Sequence, residues 1–160
     1  MKKIVLAALA VVAMGAQAAD DGFYAGANYN HFKLSGDNAS GSDNAVGIYA
    51  GYRVGAIAGE ISRFQKTVSG EKFVYTDVSA IPHLNVAKDV DVIGKVGFRR
   101  SEATDTGEKF SGTSLVFGAG VEYTVMPQVT VRALVDYSNK SFGDSQAHTT
   151  TTTLGVAYKF

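Results

Sequence analysis

Four charged residues lie in segments in which apolar side chains alternate with small or polar ones, and each belongs to the small or polar set. They are Glu60, Lys95, Glu122 and Arg132. Each shares its parity with glycine, alanine and small polar residues, while the other parity carries aliphatic and aromatic residues. Carboxylates and cations in a space with little bulk water are costly unless they pair. These residues therefore predict a network of buried ion pairs, which either fills a space or, by exchanging partners, opens it to small ions.

The elements that must position these residues are eight segments with a period of two, which predict eight β-strands. They cover residues 23–32, 45–53, 57–64, 73–86, 90–100, 114–125, 129–138 and 150–160. Three short connections alternate with four longer, polar ones. The short ones are 54–56, 87–89 and 126–128, and the long ones are 33–44, 65–72, 101–113 and 139–149. This order is typical of an outer-membrane barrel with periplasmic turns and extracellular loops.

The distribution of small residues distinguishes a membrane barrel from a soluble sandwich. A sandwich would direct the charged parity to water, but here that parity also carries many glycines, such as Gly97, Gly118 and Gly120. Small residues alternating with a few long charged ones suit a narrow lumen. We therefore predict an all-β fold, an eight-stranded antiparallel up-and-down transmembrane β-barrel.

The two ends of the sequence agree with export to the outer membrane. Residues 1–18 combine two lysines, an apolar run from Ile4 to Met14 and a small-residue cleavage site, which predicts a cleaved signal peptide. The cleavage site is after Ala18 or Ala19, and residues 19–160 are expected to form one barrel domain. The run is too short to span a bilayer, which needs about 20 apolar residues.

Other function classes find little support. The formal net charge of zero argues against nucleic-acid binding. The three histidines are far apart in sequence and no metal-ligand spacing occurs, so we predict no metal and no cofactor. Asp144, His148 and Thr150 are the one suggestive catalytic group, but they lack a convincing nucleophile pattern. We predict that the chain is not an enzyme.

Several motifs resemble the eight-stranded outer-membrane barrels of the OmpA, OmpX and Ail type. The segment from Val116 to Arg132, with its Gly-Val-Glu-Tyr motif and proline turn, is similar to a strand–turn–strand unit of the OmpA transmembrane domain. Residues 57–63 and 89–97 resemble its third and fifth strands, and the ending from Gly155 to Phe160 is equally similar to OmpX-like barrels. The sequence stops at Phe160, where many OmpA proteins continue into a peptidoglycan-binding domain, so we expect no tethering to the cell wall.

The resemblance also assigns roles to residues. It implies that Glu60, Lys95, Glu122 and Arg132 form a salt-bridge plug across the lumen. The family's lysine on the fourth strand aligns near Ile81, with His83 as a substitute, so Glu122 is expected to pair with Lys95 or Arg132. At the end of the sequence, the resemblance implies a signal that the barrel-assembly machinery recognises. Its residues are Gly155, Tyr158 and Phe160.

Two arginines, Arg63 and Arg100, break the outward apolar parity at the loop ends of their strands. Charge is tolerated there at a cost of about 0–1 kcal/mol. Arginine suits bidentate phosphate contacts, so one hypothesis is that both bind lipopolysaccharide. The alternative is that they extend along the surface toward the headgroups.

Three functions remain open from the sequence: a structural barrel that supports envelope integrity, a surface adhesin or serum-resistance-type interaction protein that binds through its loops, and a small ion channel of low conductance. The loops carry two candidate contacts, at residues 109–110 and 140–142. In each case the expected partners are outer-membrane lipid and lipopolysaccharide, and we expect a monomer.

Overall fold

The computed structural model describes residues 21–36, 39–68, 71–105, 108–142 and 145–160. They form eight strands: β1 (Gly22–Gly36), β2 (Ala39–Val54), β3 (Ile57–Val68), β4 (Glu71–Ala87), β5 (Val90–Asp105), β6 (Glu108–Met126), β7 (Val129–Phe142) and β8 (Ser145–Lys159). Each strand pairs antiparallel with the next, and β8 pairs with β1 to close a barrel. The predicted fold is confirmed. No helix among these residues is long and apolar enough to cross a membrane. The predicted signal peptide lies outside the described residues.

Three two-residue turns gather at one end of the barrel, which we call the short-turn end. They are Gly55-Ala56, Lys88-Asp89 and Pro127-Gln128. The φ angles of Gly55 (56°) and Asp89 (63°) lie in the left-handed region, which tight hairpins require and which glycine and aspartate tolerate. Register shifts in β4–β5 and β6–β7 lie beside these turns. The opposite end is called the long-strand end.

The strands are longer at the long-strand end than the sequence predicts. The four segments predicted as loops are mostly continuous strand, and only residue pairs 37–38, 69–70, 106–107 and 143–144 lie outside the description. The predicted loop bounds were therefore wrong. Outside the lipid there is no need for every second side chain to be apolar, so the sequence alternation is lost there although the strands remain paired. With 19 residues, β6 is about 65 Å long at ~3.4 Å per residue, against an apolar band of about 25 Å.

The wall of the barrel is apolar outside and mostly polar inside. Ile48 and Phe98 are 68% and 61% exposed, whereas Asn30 and Asp77 are 2% and 1% exposed. In β3, β5, β6 and β7, which carry the four charged residues, the charged parity faces the lumen as predicted. This inverts the arrangement of a soluble protein, so only lipid can cover the outer surface.

Outward aromatic side chains pair at two levels of the wall. At the short-turn end Phe23 packs on Tyr52 with ring centroids 4.5 Å apart. Farther along the wall, Phe117 packs on Tyr137 at 5.3 Å. Aromatic girdles of this kind mark the two interfaces of a membrane barrel.

Candidate functional site: the charged interior of the barrel

Glu60 on β3 and Arg132 on β7 form an ion pair across the lumen. Nη1 and Nη2 of Arg132 donate to the two carboxylate oxygens of Glu60 at 2.6 and 2.9 Å, so the pair is bidentate. The hydroxyl of Tyr24 donates to the same carboxylate at 2.9 Å. Both charged side chains are buried. The pair therefore joins β3 and β7 through the interior by a bidentate, charge-assisted contact.

The Tyr49 ring contacts the guanidinium of Arg132, and Gly155 leaves room for this contact. The guanidinium carbon lies 3.7 Å from the centroid of the Tyr49 ring, a close cation–π contact. A β-carbon on Gly155 would lie 3.2 Å from Cγ of Arg132 and 3.1 Å from the hydroxyl of Tyr49. Gly155 therefore leaves the space in which the two larger side chains stack.

A second set of charges lies nearer the long-strand end, and we call it the upper cluster: Asp77, Lys95, Arg99, Asp136 and Thr151. Lys95 donates to Asp77 at 2.7 Å and to Asp136 at 3.2 Å. Arg99 donates twice to Asp77, both at 2.8 Å, and to Asp136 and Thr151 at 3.1 Å each. Two cations thus balance two carboxylates, and all four side chains are buried.

Apolar side chains lie on both sides of the upper cluster. Toward the long-strand end, Phe32, Phe64 and Tyr75 stack with centroids 5.1 to 5.7 Å apart. Arg99 lies over the ring of Phe64 at 5.2 Å. Toward the short-turn end there is a small apolar core, which Tyr24 also contacts: Ala58, Ile81, Ile93 and Leu134. Such apolar neighbours lower the local dielectric, which strengthens the ion pairs between them.

The third set, the mouth cluster, lies at the short-turn end: Arg53, His83, Asn85, Asp91 and Glu122. Arg53 and Asn85 donate to different oxygens of Asp91 at 3.0 and 2.9 Å. Nδ1 of His83 lies 3.4 Å from Asp91, without the alignment of a hydrogen bond. A cavity of about 300 Å³ is lined by Arg53, His83 and Glu122 and opens at this end.

The structure divides the predicted quartet among these three sets instead of joining it into one network. Glu60 and Arg132 meet, but Lys95 belongs to the upper cluster and Glu122 to the mouth cluster. Among the described residues, Glu122 pairs with neither Lys95 nor Arg132, contrary to the expectation. The reason is that both cations already have closer carboxylates: Arg132 has Glu60, and Lys95 has Asp77 and Asp136.

Sequence reasoning omitted most members of the interior network: Arg53, Asp77, Asp91, Arg99 and Asp136. Each has the inward parity of its strand, so the alternation that identified the quartet could have identified them too. Partner choice across the lumen depends on strand tilt and register, which the sequence alone does not give. Ile81 is buried in the apolar core, and His83 lies beside Asp91 and Glu122.

The two outward arginines lie in one row across the wall. Arg63 pairs in register with Thr76, and Thr76 pairs with Arg100, so the arginines are two strand spacings apart, about 10 Å. Both side chains are exposed. Nε of Arg100 donates to the exposed carboxylate of Glu102 at 2.9 Å.

The predicted assembly-signal residues lie on β8 and just after it. Tyr158 and Phe160 point outward, 50% and 81% exposed, with ring centroids 5.3 Å apart. The backbone N–H of Phe160 donates to the carbonyl of Phe23 at 2.9 Å, which continues the β1–β8 seam. Gly155, in contrast, faces the lumen beside Arg132.

The suggested catalytic group is not assembled among the described residues. Asp144 lies outside them, and the ring of His148 stacks on that of Tyr137 at 5.8 Å. The candidate loop contacts at 109–110 and 140–142 have side chains outside the description.

Comparison with solved structures shows close fold similarity to outer-membrane barrels. Neisserial surface protein A shares 25% identity at a TM-score of 0.66, over 86% of this chain and 97% of that one. Ail, the attachment invasion locus protein of Yersinia pestis, solved in complex with the heparin analogue sucrose octasulfate, shares 20% identity at a TM-score of 0.65, over 89% and 100% of the two chains. The N-terminal β-barrel domain of Pseudomonas aeruginosa OprF shares 16% identity at a TM-score of 0.60, over 84% and 97%.

No curated protein matches this sequence. The family model described as the outer membrane protein beta-barrel domain matches residues 4–160, nearly the whole chain. The family and the solved relatives are barrel proteins rather than enzymes, which agrees with the prediction that this chain has no enzymatic activity. The predicted resemblance and location are confirmed: the chain belongs to the outer-membrane β-barrel domain family and is a protein of the outer membrane.

Proposed function

We propose that this protein is a structural barrel of the outer membrane whose lumen is closed by its own ion pairs. The observation that carries the proposal is the upper cluster, in which Asp77, Lys95, Arg99 and Asp136 neutralise one another while buried. The Glu60–Arg132 pair provides a second closure. A permanent pore would need water along these side chains, whereas here the hydrogen bonds of the charged groups are made within the protein.

The energetics of buried charges favour a lumen that stays closed. Removing one partner of a buried pair costs about 3–5 kcal/mol, because the other charge is left unpaired. A side chain that leaves its partner for a watery pore pays part of the same cost. Arg99, with hydrogen bonds to Asp77, Asp136 and Thr151, has several such contacts to lose.

A small, gated channel is the second candidate, and one observation favours it. Glu122 is the register partner of Arg132 across β6 and β7, and no hydrogen bond to its carboxylate is formed by a described residue. Arg132 could therefore exchange Glu60 for Glu122 without losing a carboxylate. The upper cluster offers no comparable free acceptor, so opening there would need a larger rearrangement.

Single-channel conductance of the refolded protein in planar bilayers separates the two candidates. For the structural barrel, the parent is silent, and Glu60→Gln with Asp77→Asn, which weakens both closures, produces openings. The control variant is Glu102→Gln, which removes an exposed carboxylate on the outer wall and should stay silent. Steady parental conductance that Glu122→Gln abolishes would overturn the structural proposal and support a channel gated by Arg132.

We further propose that lipopolysaccharide is a partner, through Arg63 and Arg100. Two exposed arginines whose backbone positions are about 10 Å apart on a wall that faces lipid offer bidentate contacts to phosphates. Their position toward the long-strand end agrees with the outer leaflet, because barrels of this class carry their short turns in the periplasm.

The proposal includes a monomeric barrel inserted by the assembly machinery through β8. The outward pair Tyr158 and Phe160 supports this role, since two adjacent aromatic rings on the closing strand are accessible. Binding of a host ligand at the surface is the weaker alternative. The sucrose octasulfate complex belongs to Ail, and at 20% identity that likeness extends to the fold.

A further inference from the structure

Three side chains of the mouth cluster come together from three consecutive strands: His83 from β4, Asp91 from β5 and Glu122 from β6. Asp91 and Glu122 are register partners, and His83 lies two residues from Asn85, the register partner of Asp91. One potential ligand atom from each of the three residues lies within 4.8 Å of the other two. The three residues are separated by 8 and 31 positions in the sequence, so spacing along the chain does not reveal the group.

Two of these side chains are buried, and the ring of His83 makes no aligned hydrogen bond with a described residue. His83 is 7% exposed; its Nδ1 lies 3.4 Å from Asp91, and its Nε2 has no hydrogen-bond partner among the described residues. Glu122 is 9% exposed, and its carboxylate accepts no hydrogen bond from a described residue. Leaving a buried polar atom such as Nε2 of His83 unsatisfied is costly. An imidazole nitrogen and a carboxylate that face each other in this way are suited to share a bound cation.

The surrounding charges leave one negative charge for a bound cation to neutralise. Arg53 neutralises Asp91 at 3.0 Å, so with a neutral imidazole the cluster retains the single negative charge of Glu122. Asn85 and Arg53 fix the orientation of the Asp91 carboxylate, as outer partners do for metal ligands. Arg53 also opposes a cation electrostatically, so we expect moderate affinity rather than the very tight binding of a structural zinc site.

The ligand set and the access route indicate the class of ion. One imidazole nitrogen and two carboxylates leave a fourth, tetrahedral position for water, as in open zinc sites. Calcium and magnesium prefer ligand sets made of oxygen alone, and this favours a borderline ion such as Zn²⁺. The cavity of about 300 Å³, lined by His83 and Glu122, gives an ion entry from the short-turn end. We propose that His83, Asp91 and Glu122 form a binding site for a divalent transition-metal ion at the short-turn mouth of the barrel.

Cobalt absorption spectroscopy tests this proposal on the tag-free mature protein refolded in detergent. The expected result is one Co²⁺ per barrel with the intense visible bands of a tetrahedral site, displaced by Zn²⁺ but not by Mg²⁺. His83→Gln and Glu122→Gln should each weaken binding by at least the roughly 10–100-fold that loss of an outer-shell partner costs. His31→Gln and His148→Gln are matched controls and should bind as the parent does.

Two results would overturn the proposal. One is a parent protein that gives no Co²⁺ spectrum when the ion is added in several-fold excess. The other is binding that persists in folded His83→Gln and Glu122→Gln variants. If either variant fails to fold, X-ray absorption of the Zn²⁺-loaded parent still decides, because this site supplies one imidazole and otherwise oxygen ligands. Two or more imidazoles, or none, would exclude it.

Discussion

The guanidinium of Arg132 lies 3.7 Å from the centroid of the Tyr49 ring while its nitrogens donate to Glu60. The hydroxyl of Tyr49 is buried and has no hydrogen-bond partner among the described residues. The tyrosine therefore contributes through its ring, and its polar atom contributes a cost. The ring and the hydroxyl of Tyr49 therefore have opposite effects on the stability of the barrel.

Two replacements of Tyr49 should measure the effect of the ring and that of the hydroxyl on stability separately. We expect Tyr49→Leu to lower the free energy of unfolding by about 2 kcal/mol, because a desolvated cation–π contact is lost. Tyr49→Phe keeps the ring and removes an unsatisfied hydroxyl, so it should be neutral or stabilising by up to about 1 kcal/mol. Urea unfolding of the refolded barrel in lipid vesicles measures both. Equal destabilisation by Phe and Leu would show that the hydroxyl has a partner after all.

Asp77 accepts hydrogen bonds from both cations of the upper cluster. Asp77→Asn should lower the free energy of unfolding by about 3–5 kcal/mol, because Arg99 and Lys95 would share one remaining carboxylate. Glu102→Gln is the matched control, and since its exposed pair with Arg100 is worth about 0–1 kcal/mol it should change stability little. The same urea titration serves for both variants. A loss below that of the control would show that water reaches the upper cluster.

Gly155 has two candidate roles, which refolding in vitro distinguishes. If it makes room for Arg132 and Tyr49, Gly155→Val should destabilise the barrel by about 1–3 kcal/mol even without assembly machinery. Gly59→Val is the control, because a β-carbon there meets open space on the outer face. If Gly155→Val refolds with parental stability but accumulates poorly in the outer membrane of cells, the residue acts through the assembly signal instead.

Lipopolysaccharide should stabilise the parent more than a variant without its two outward arginines. We expect the rise in Tm on adding lipopolysaccharide to fall by about half or more in Arg63→Ala, Arg100→Ala, because bidentate phosphate contacts are lost. Lys88→Ala, at the short-turn end, is the control. The variant Arg63→Lys, Arg100→Lys keeps both positive charges but loses the planar guanidinium groups that make bidentate contacts. If this lysine variant responds as the parent does, the arginines act by charge at the interface and not by bidentate recognition.

The sequence predicts which side chains face the lipid and which face the lumen better than it predicts the contacts within the lumen. Alternation correctly assigns the parity of residues such as Val96 and Lys95, because lipid imposes a strict requirement on every second side chain. Contacts in the lumen join residues far apart in sequence, such as Glu60 and Arg132, and depend on register and tilt. The family resemblance led to one network, yet Asp77 and Asp136 lie closer to Lys95 than Glu122 does. The polar strand ends at the long-strand end were predicted as loops, because outside the membrane no lipid requires alternating apolar side chains.

The alternation also has a consequence for transit across the inner membrane. A polar or small inward residue, such as Asn28, Asn30 or Ser62, interrupts the apolar residues at every second or third position, so none of the described strands contains the about 20 consecutive apolar residues that halt a translocating chain. Before folding, the apolar side chains of these strands therefore occur singly or in short runs, and the chain can travel as a hydrated polymer. It becomes a membrane protein when β-sheet formation places those side chains on one side.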